Sequence, residues 1–355
     1  MLPVTSPIAD LLHTIVDIES VSGNEKNLAD EVEATLAPLN HLEVSRHGDT
    51  VVARTHLGRA RRVAIAGHLD TVPVANNLPS VLQIREGREV LVGRGTVDMK
   101  GGVAVQLSLA AALDVPTTDV TWIFYDNEEV EATRNGLGRL ASTHPDLVAS
   151  DFAILMEPTG SVIEGGCQGS LRVRLTTHGV AAHSARSWRG SNAIHGLTPA
   201  FDALNAYQPA TVTVDGLDYR EGLNAVEVSG GIASNVIPDK AQLTVNYRFA
   251  PDKDGSQAQW FLRQVFAGYE TEVLDLAEGA RPGLTLPAVA DFVAALGVEV
   301  RPKYGWTDVA RFAALGIPAV NFGPGDPNLA HTDDEHVFLD EVVACRDALS
   351  RWLMA

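Results

Sequence analysis

Seven acidic and histidine side chains stand where they could bind metal ions and activate water. Each falls after a predicted strand or in a loop that leads into a predicted helix. Histidine nitrogen and carboxylate oxygen are the usual ligands of catalytic zinc, and water activation also needs a carboxylate base. The seven residues are His68, Asp70, Asp98, Glu128, Glu129, Glu157 and His331. Together they predict a hydrolytic site that holds two metal ions.

His68 and Asp70 follow the buried apolar run 63–66, which is typical of a strand. Because side chains alternate along a strand, these two residues lie on the same face. The Asp70 carboxylate can then orient the His68 ring from behind, as carboxylates often do for a metal-bound histidine. We therefore predict that His68 binds metal and that Asp70 supports it.

Asp98 and the adjacent pair Glu128 and Glu129 follow glycine-bearing or apolar segments. Asp98 stands between a glycine loop and the apolar helical stretch 103–113, where its carboxylate could bridge two ions. Glu128 and Glu129 come after the predicted strand 120–125. Adjacent side chains in an extended chain point apart, so one carboxylate can bind metal while the other takes a proton from water. Spacing does not assign these two roles.

Glu157 and His331 complete the set. Glu157 follows the apolar strand 152–156, and His331 lies in the loop after the apolar strand 319–322. In open α/β sheets, ligands bind in the crevice outside the carboxyl ends of the strands, so distant residues can converge there. His336 is the nearest alternative to His331. It lies five residues further on and shares no helical face with it, so we favour His331.

These segments resemble the dinuclear zinc deacylases and exopeptidases of the aminoacylase and carboxypeptidase family along nearly the whole chain. The matching motifs are GHLDT, GRGTVDMKGG, NEE, MEPT and LAHTDDE. The resemblance implies an α/β catalytic domain of the zinc-exopeptidase type with a mixed central sheet. It also implies two zinc ions per subunit, for which cobalt can substitute.

The resemblance also implies a role for each residue of the set. Glu128 would be the general base. Five residues would be metal ligands. His68 and Glu157 would bind one ion, Glu129 and His331 would bind the other, and Asp98 would bridge the two ions.

The hydrophobic pattern changes near residue 170, where apolar and polar residues begin to alternate as in a sheet with one wet face. A two-layer α+β lid is therefore expected over 171–280, inserted into a catalytic domain of 1–170 and 281–355. The family resemblance implies that this inserted domain also serves dimerisation. Its predicted elements are strands 171–177, 211–214, 224–232, 241–249 and 271–276 and helices 192–206 and 256–268.

Three residues of this inserted domain have implied roles. The segment HGVAAHSARSW resembles one whose histidine reaches a neighbouring subunit's active site, so His183 would donate to the oxyanion within a homodimer. The alternative is that His183 caps the helix that follows it. Asn235 in SNVIP and Arg248 in VNYRF resemble contacts to substrate carboxylates. Arginine suits that task because its guanidinium pairs with a carboxylate through two hydrogen bonds.

The segments GLNAVEVSGGIASNVIPD, NYRFAPD and YGWTDVARF look most like the family branch that hydrolyses N-succinyl-LL-2,6-diaminopimelate, a precursor of lysine and cell wall. The chain departs from the better-known members, which have an arginine at the position of Gln168 and a glycine pair in the later loop. Acetylornithine deacetylation and hydrolysis of dipeptides or other N-acyl amino acids are alternatives within the same chemistry. A non-catalytic metal-binding module is the alternative of another class.

Composition narrows the possible partners. A chain of 355 residues fits about two domains, and its net charge of -18 argues against binding to nucleic acid or an anionic membrane. The family resemblance implies that the partners are a small-molecule substrate and a second copy of the chain. The two cysteines, Cys167 and Cys345, make no disulfide framework and indicate a reducing compartment.

The first residues indicate helices rather than a targeting segment. Asp10, His13 and Asp17 interrupt the apolar residues that a secretory signal would need, and no apolar run approaches the roughly 20 residues of a membrane span. A cytoplasmic enzyme is therefore expected. Ser22 and Glu25 have the spacing of a capping box, which predicts a second helix that begins between them.

Overall fold

The computed structural model describes all residues 1–355, which form two compact units. The first contains residues 1–165, 283–301 and 311–355, and the second contains 166–282 and 302–310. The segment 302–310 was expected in the first domain. It belongs to the second unit, where Trp306 Nε1 donates to Glu278 O at 2.9 Å and Cys167 Sγ lies 3.7 Å from Thr307 O. None of the helices has the length and apolar character of a membrane span.

The helices are numbered in chain order. The α-helices are α1 Ile8–Asp17, α2 Lys26–Leu36, α3 Lys100–Ala112, α4 Gly136–Thr143, α5 Pro145–Val148, α6 Thr198–Ala206, α7 Gly255–Val265, α8 Pro287–Leu296, α9 Val309–Ala314 and α10 Leu339–Met354. Short 3-10 helices span Ser184–Arg189, His195–Leu197 and Pro327–Leu329.

The strands are numbered in the same way. Those before the second unit are β1 Glu43–His47, β2 Thr50–Arg54, β3 Arg62–His68, β4 Val81–Arg85, β5 Arg88–Val92, β6 Asp119–Tyr125, β7 Phe152–Leu155 and β8 Ile163–Gly165. Those that follow are β9 Gly169–His178, β10 Ala182–His183, β11 Thr211–Val214, β12 Leu217–Arg220, β13 Gly222–Gly230, β14 Val236–Ile237, β15 Lys240–Phe249, β16 Glu270–Ala277, β17 Val300–Pro302, β18 Ala319–Asn321 and β19 His336–Phe338.

The first unit is built on an eight-stranded mixed sheet with the order β1-β2-β6-β3-β7-β18-β8-β17. Its four central strands, β6, β3, β7 and β18, run parallel. The neighbouring pairs β1-β2, β2-β6 and β18-β8 are antiparallel. The carboxyl ends of the central strands therefore meet at one edge, as the predicted α/β class with a mixed central sheet requires.

Burial explains why the sequences of the central strands are continuous runs of apolar residues. Every residue of β6 is buried, and so is all of β3 after its first residue. Helix α3 packs against the end of β7 through Gly102, where a Cβ atom would lie 2.3 Å from Met156 O. Only glycine allows this approach, which brings the start of α3 close to the strand that precedes Glu157.

The second unit has two layers, as predicted. Its four-stranded antiparallel sheet has the order β13-β15-β9-β16, and its hydrophobic cluster joins β9 and β15 to α6 and α7. The predicted helix 192–206 begins only at Thr198. Pro199 lies in its first turn, where a missing N–H costs least, and the preceding His195–Leu197 form a 3-10 turn.

The predicted capping box at Ser22 and Glu25 was wrong. Helix α2 begins at Lys26 and has no side-chain cap. Ser22 Oγ instead donates to Asp70 Oδ2 at 2.8 Å, and Glu25 Oε1 accepts the N–H groups of Gly23 and Asn127. Both side chains thus hold loops near the candidate site rather than the end of a helix.

Candidate metal centre

The carboxyl ends of the parallel strands bring four of the predicted residues to one edge of the sheet. His68 is the last residue of β3, and Glu128 and Glu129 follow β6. Glu157 comes directly after Met156, whose N–H donates to Ala66 O in the neighbouring β3 at 2.9 Å. The loops before α3 and after β18 add Asp98 and His331.

Asp98 lies between the two histidines. Its Oδ1 atom is 3.1 Å from His68 Nε2, and its Oδ2 atom is 3.2 Å from His331 Nε2. Glu129 Oε1 lies 2.8 Å from the same nitrogen of His331. One possible ligand atom from each of His68, Asp98 and Glu129 lies within 4.8 Å of the other two. Asp98 thus has one carboxylate oxygen facing each histidine.

The electrostatics of this cluster fit a bound cation. Asp98 and Glu129 raise the pKa of His331 to about 10. Burial alone would lower the pKa of His68, but Asp70 and Asp98 raise it well above its usual value. Burial would likewise raise the pKa of Asp98, yet the two histidines hold it below the ordinary carboxyl range. The carboxylates thus favour positive charge at both rings, which is where metal ions would bind.

The donor set also fits zinc chemically. The Asp98 carboxylate lies between two imidazole nitrogens, and the Glu129 carboxylate contacts one of them, which matches the nitrogen and oxygen ligands of catalytic zinc sites. Three of the five predicted ligands form the tightest group, and His331 contacts two of these three. Glu157 lies outside that group, buried at the adjoining end of β7.

Asp70 connects His68 to the loop that holds the paired glutamates. Its carboxylate accepts the N–H groups of Glu128 at 2.9 Å and Glu129 at 3.0 Å. His68 Nδ1 lies 3.5 Å from Asp70 Oδ1 and 3.0 Å from Asp70 O. Burial would raise the pKa of Asp70, but His68 and these N–H groups lower it. A negative Asp70 therefore orients both the ring and the loop.

The two glutamates differ in position. Glu129 belongs to the close group of possible ligands, whereas Glu128 does not. The preceding Asn127 has a φ of 58°, so the chain turns before it reaches the pair. The pair therefore does not continue the alternation of β6.

In the second unit, His183 lies beside Asn235. Both residues lie away from Arg248. His183 pairs with Val236 between β10 and β14, and Ser184 N donates to Asn235 O at 2.9 Å. Both side chains are exposed. The His183 Nδ1 atom accepts the N–H of Ala185 at 3.1 Å, which is the capping contact of the alternative interpretation.

Arg248 lies near the far end of β15. That strand pairs Lys240 with His178 at one end and Arg248 with Ser170 towards the other. Eight residues of extended chain span roughly 26 Å. Burial, and then the nearby Arg172, lower the pKa of Arg248. One chain therefore does not bring Asn235 and Arg248 together.

Two residues near the cluster were not predicted. Arg94 and Glu335 form a buried ion pair at 2.8 Å, and Glu335 accepts the N–H of Asp98 at 3.1 Å. A signal was present, because Glu335 ends the motif LAHTDDE and Arg94 lies in GRG. Only the fold shows that the two motifs meet.

The fold and the cluster together define a metal-dependent hydrolase of amide bonds. The sequence model that describes peptidase family M20/M25/M40 matches residues 64–355 of this chain, so the chain belongs to that family. This confirms the family resemblance found in the motifs.

Relatives of known name cover nearly the whole chain. A Mycobacterium tuberculosis protein named "Putative succinyl-diaminopimelate desuccinylase DapE" is 52% identical over 356 residues, which cover 99% of each chain. The succinyl-diaminopimelate desuccinylase of Corynebacterium glutamicum is 48% identical, with 97% of this chain and 95% of that one covered.

Solved structures share the fold at low identity. A Staphylococcus aureus tripeptidase has a TM-score of 0.78 and 18% identity, with 100% of this chain and 98% of that chain covered. A Bacillus subtilis protein described as a dinuclear metal-binding peptidase of family M20 has a TM-score of 0.71 and 17% identity, covering 98% and 96%. The α/β class with a mixed central sheet is thereby confirmed.

Proposed function

We propose that the protein removes the succinyl group from N-succinyl-LL-2,6-diaminopimelate, which gives LL-diaminopimelate and succinate. The main support is the identity of 52% and 48%, over almost the entire chain, to two relatives that bear the name of this activity. The cluster around Asp98 supplies the groups that amide hydrolysis by activated water needs. The reaction would serve the biosynthesis of lysine and cell-wall precursors.

The proposed cofactors are two zinc ions per subunit, with cobalt able to replace them because it accepts similar ligands. When bound, such ions lower the pKa of water towards 7 and polarise the amide carbonyl. Asp98 would bridge them, since its two oxygens face different histidines. The other proposed ligands are His68 and Glu157 for one ion and Glu129 and His331 for the other.

Proton transfer is assigned to Glu128. A base must be free of the metal yet close to the water, and Glu128 adjoins the ligand Glu129 without belonging to its close donor group. Asp70 fixes the N–H groups of both glutamates and so sets their relative position. Glu128 would take the proton of the attacking water and return it to the leaving amine.

The proposed assembly is a homodimer in which His183 and Asn235 act at the partner's site. The two residues are neighbours, exposed, and about a strand's length from Arg248 in the same chain. His183 would donate a hydrogen bond to the oxyanion that forms during attack. β13 supports the dimer, because it is an edge strand whose Val226 and Val228 are 57% and 59% exposed.

Arg248 is the proposed receptor for a substrate carboxylate. The substrate has three carboxylates, and a partly buried guanidinium pairs with one of them more strongly than an exposed one does. Arg172 lies close enough to lower the pKa of Arg248, whereas Asp275, which lies 3.6 Å from Arg172, raises it. Cytoplasmic location is proposed from the free thiols of Cys167 and Cys345.

Hydrolysis of a substrate panel tests the proposal. Zinc-loaded protein is given N-succinyl-LL-2,6-diaminopimelate, N-acetylornithine and a dipeptide, and kcat/KM is compared. We expect the first to exceed the others by at least about 30-fold, because we assign Arg248 to a carboxylate that only this substrate has, and the other two leave that partly buried cation unpaired. If N-acetylornithine or the dipeptide leads, the proposed substrate is wrong.

A further inference from the structure

Arg94 and Glu335 form an ion pair inside the first unit. Their exposed fractions are 3% and 1%, and Arg94 Nη1 lies 2.8 Å from Glu335 Oε2. The two residues are 241 positions apart in the chain. Neither belongs to the group of possible metal ligands. The pair nevertheless contacts the segment that follows His68, the loop that holds Asp98 and the loop that holds His331.

Glu335 holds the Asp98 loop. Its Oε1 atom accepts the N–H groups of Val97 and Asp98, each at 3.1 Å. Its own carbonyl oxygen accepts the N–H of Gly93 at 2.9 Å. These three bonds fix the backbone on both sides of the loop, so the direction of the Asp98 carboxylate depends on Glu335.

Arg94 holds the two histidine loops. Its Nε atom donates to Pro73 O at 3.1 Å, in the segment that follows His68 and Asp70. Its Nη1 atom donates to Thr332 O, also at 3.1 Å. The preceding His331 has a φ of 65°, a conformation that residues other than glycine rarely adopt without external support. The hydrogen bond to Thr332 O supplies part of that support.

We propose that Arg94 and Glu335 are positioning residues that set the spacing of the two metal positions. The inference rests on the metal centre of the proposed function. Asp98 can bridge two ions only if one oxygen faces each histidine, and the ion pair joins the three segments that decide this. Stability alone is a weak explanation for such a pair, because apolar residues of similar volume often stabilise a protein as well as a buried ion pair does.

Glu335→Gln tests the proposal, since it keeps the shape but removes the charge and turns one acceptor into a donor. Zinc affinity is measured by titration against a chelator without substrate. Loss of partners behind metal ligands typically weakens affinity by about 10–100-fold, and we expect this loss for both ions because Asp98 serves both. The visible spectrum of the cobalt-loaded variant should also change, because it reports ligand geometry.

Asp119→Asn is the matched control. Asp119 is 5% exposed and accepts the N–H groups of Leu57 and Arg59 and the hydroxyl of Thr55. It lies at the start of β6, whereas the metal cluster follows that strand's end. We expect Asp119→Asn to lower stability and leave zinc affinity unchanged. Wild-type zinc affinity in Glu335→Gln, or an equal loss in Asp119→Asn, would overturn the proposal.

Arg94→Lys provides a second variant if Glu335→Gln does not fold. Lysine keeps the charge but loses the Nε bond to Pro73 O, so we expect weaker zinc binding than in the wild type. A folded Arg94→Lys protein with unchanged zinc affinity would reject the positioning role. Failure of the wild type itself to bind two zinc ions would instead contradict the proposed function.

Discussion

Asp98 shows how much of the candidate chemistry depends on one side chain. Its two oxygens face His68 and His331, which come from segments more than 260 residues apart in sequence numbering, and Glu129 approaches the second histidine. A carboxylate so placed can hold two cations close together, which a terminal ligand cannot do. The roles of the neighbouring glutamates then follow from which one contacts this cluster.

Replacing each of the paired glutamates separates base from ligand. Glu128→Ala should lower kcat by about 10²–10⁴-fold, the usual contribution of a general base, and leave zinc near two ions per subunit. Glu129→Ala is the matched variant and should lose zinc, because its carboxylate lies 2.8 Å from His331 Nε2. Metal analysis and steady-state kinetics measure both effects. Loss of zinc from Glu128→Ala would assign the base role elsewhere.

The residues of the cluster could be predicted from sequence, but their division of labour could not. His68, Asp98 and Glu129 were identifiable because they follow apolar runs or glycine loops within recognisable motifs. A left-handed Asn127 stands between β6 and the two glutamates, so the alternation of that strand does not predict where their side chains lie. The Arg94–Glu335 pair joins two distant segments, so it becomes visible only in the folded chain.

Strands and helices were predicted best where burial is uniform. Strands β3, β6 and β7 are buried throughout or almost so, and their apolar runs gave bounds close to those observed. The hairpin of β11 and β12 was half missed, although Asp215-Gly216 is a frequent hairpin turn and both residues have positive φ. Short, half-exposed strands such as β12 contain too few apolar residues to be identified from the alternation of apolar and polar residues alone.

The start of β6 offers a test of stability against pH. Burial alone would raise the pKa of Asp119, but the N–H groups of Leu57 and Arg59 and the Thr55 hydroxyl lower it below the ordinary aspartate value. A lowered pKa in the folded state means that the ionised carboxylate stabilises the protein above the unfolded pKa of about 3.9. That contribution is lost as the pH falls through the folded pKa.

Asp119→Asn should therefore lower the free energy of unfolding by about 1–3 kcal/mol at pH 7, the cost of disturbing a buried hydrogen-bonded group. Urea unfolding of the metal-free protein and the variant should show this difference above about pH 5 and a smaller one below pH 4. A difference that stays constant down to pH 3 would mean that ionisation of Asp119 contributes nothing.

The assembled protein is proposed to need two copies for one complete site. His183 and Asn235 lie together in the second unit, and the length of β15 separates them from Arg248. If both ends contact substrate, different copies must supply them. The exposed edge of β13 offers a surface for such pairing in a closed twofold arrangement.

Mixed dimers test this arrangement. His183→Ala should lower kcat by about 10²–10³-fold without loss of zinc, as expected for an oxyanion donor. A mixed dimer contains one His183→Ala subunit and one Glu128→Ala subunit. One of its two sites would then contain both an intact base and the partner's intact histidine. Activity should then recover to about half the wild-type rate per mixed dimer. No recovery would place His183 in the same subunit as the site it serves.

The binuclear centre is the claim on which all other assignments depend, and anomalous diffraction at the zinc edge tests it most directly. Crystals grown with zinc should show two peaks about 3.5–4 Å apart, one on each side of Asp98. One peak should lie beside His68 and Glu157, and the other beside Glu129 and His331. A single peak, or none between these side chains while they are well ordered, would contradict the account.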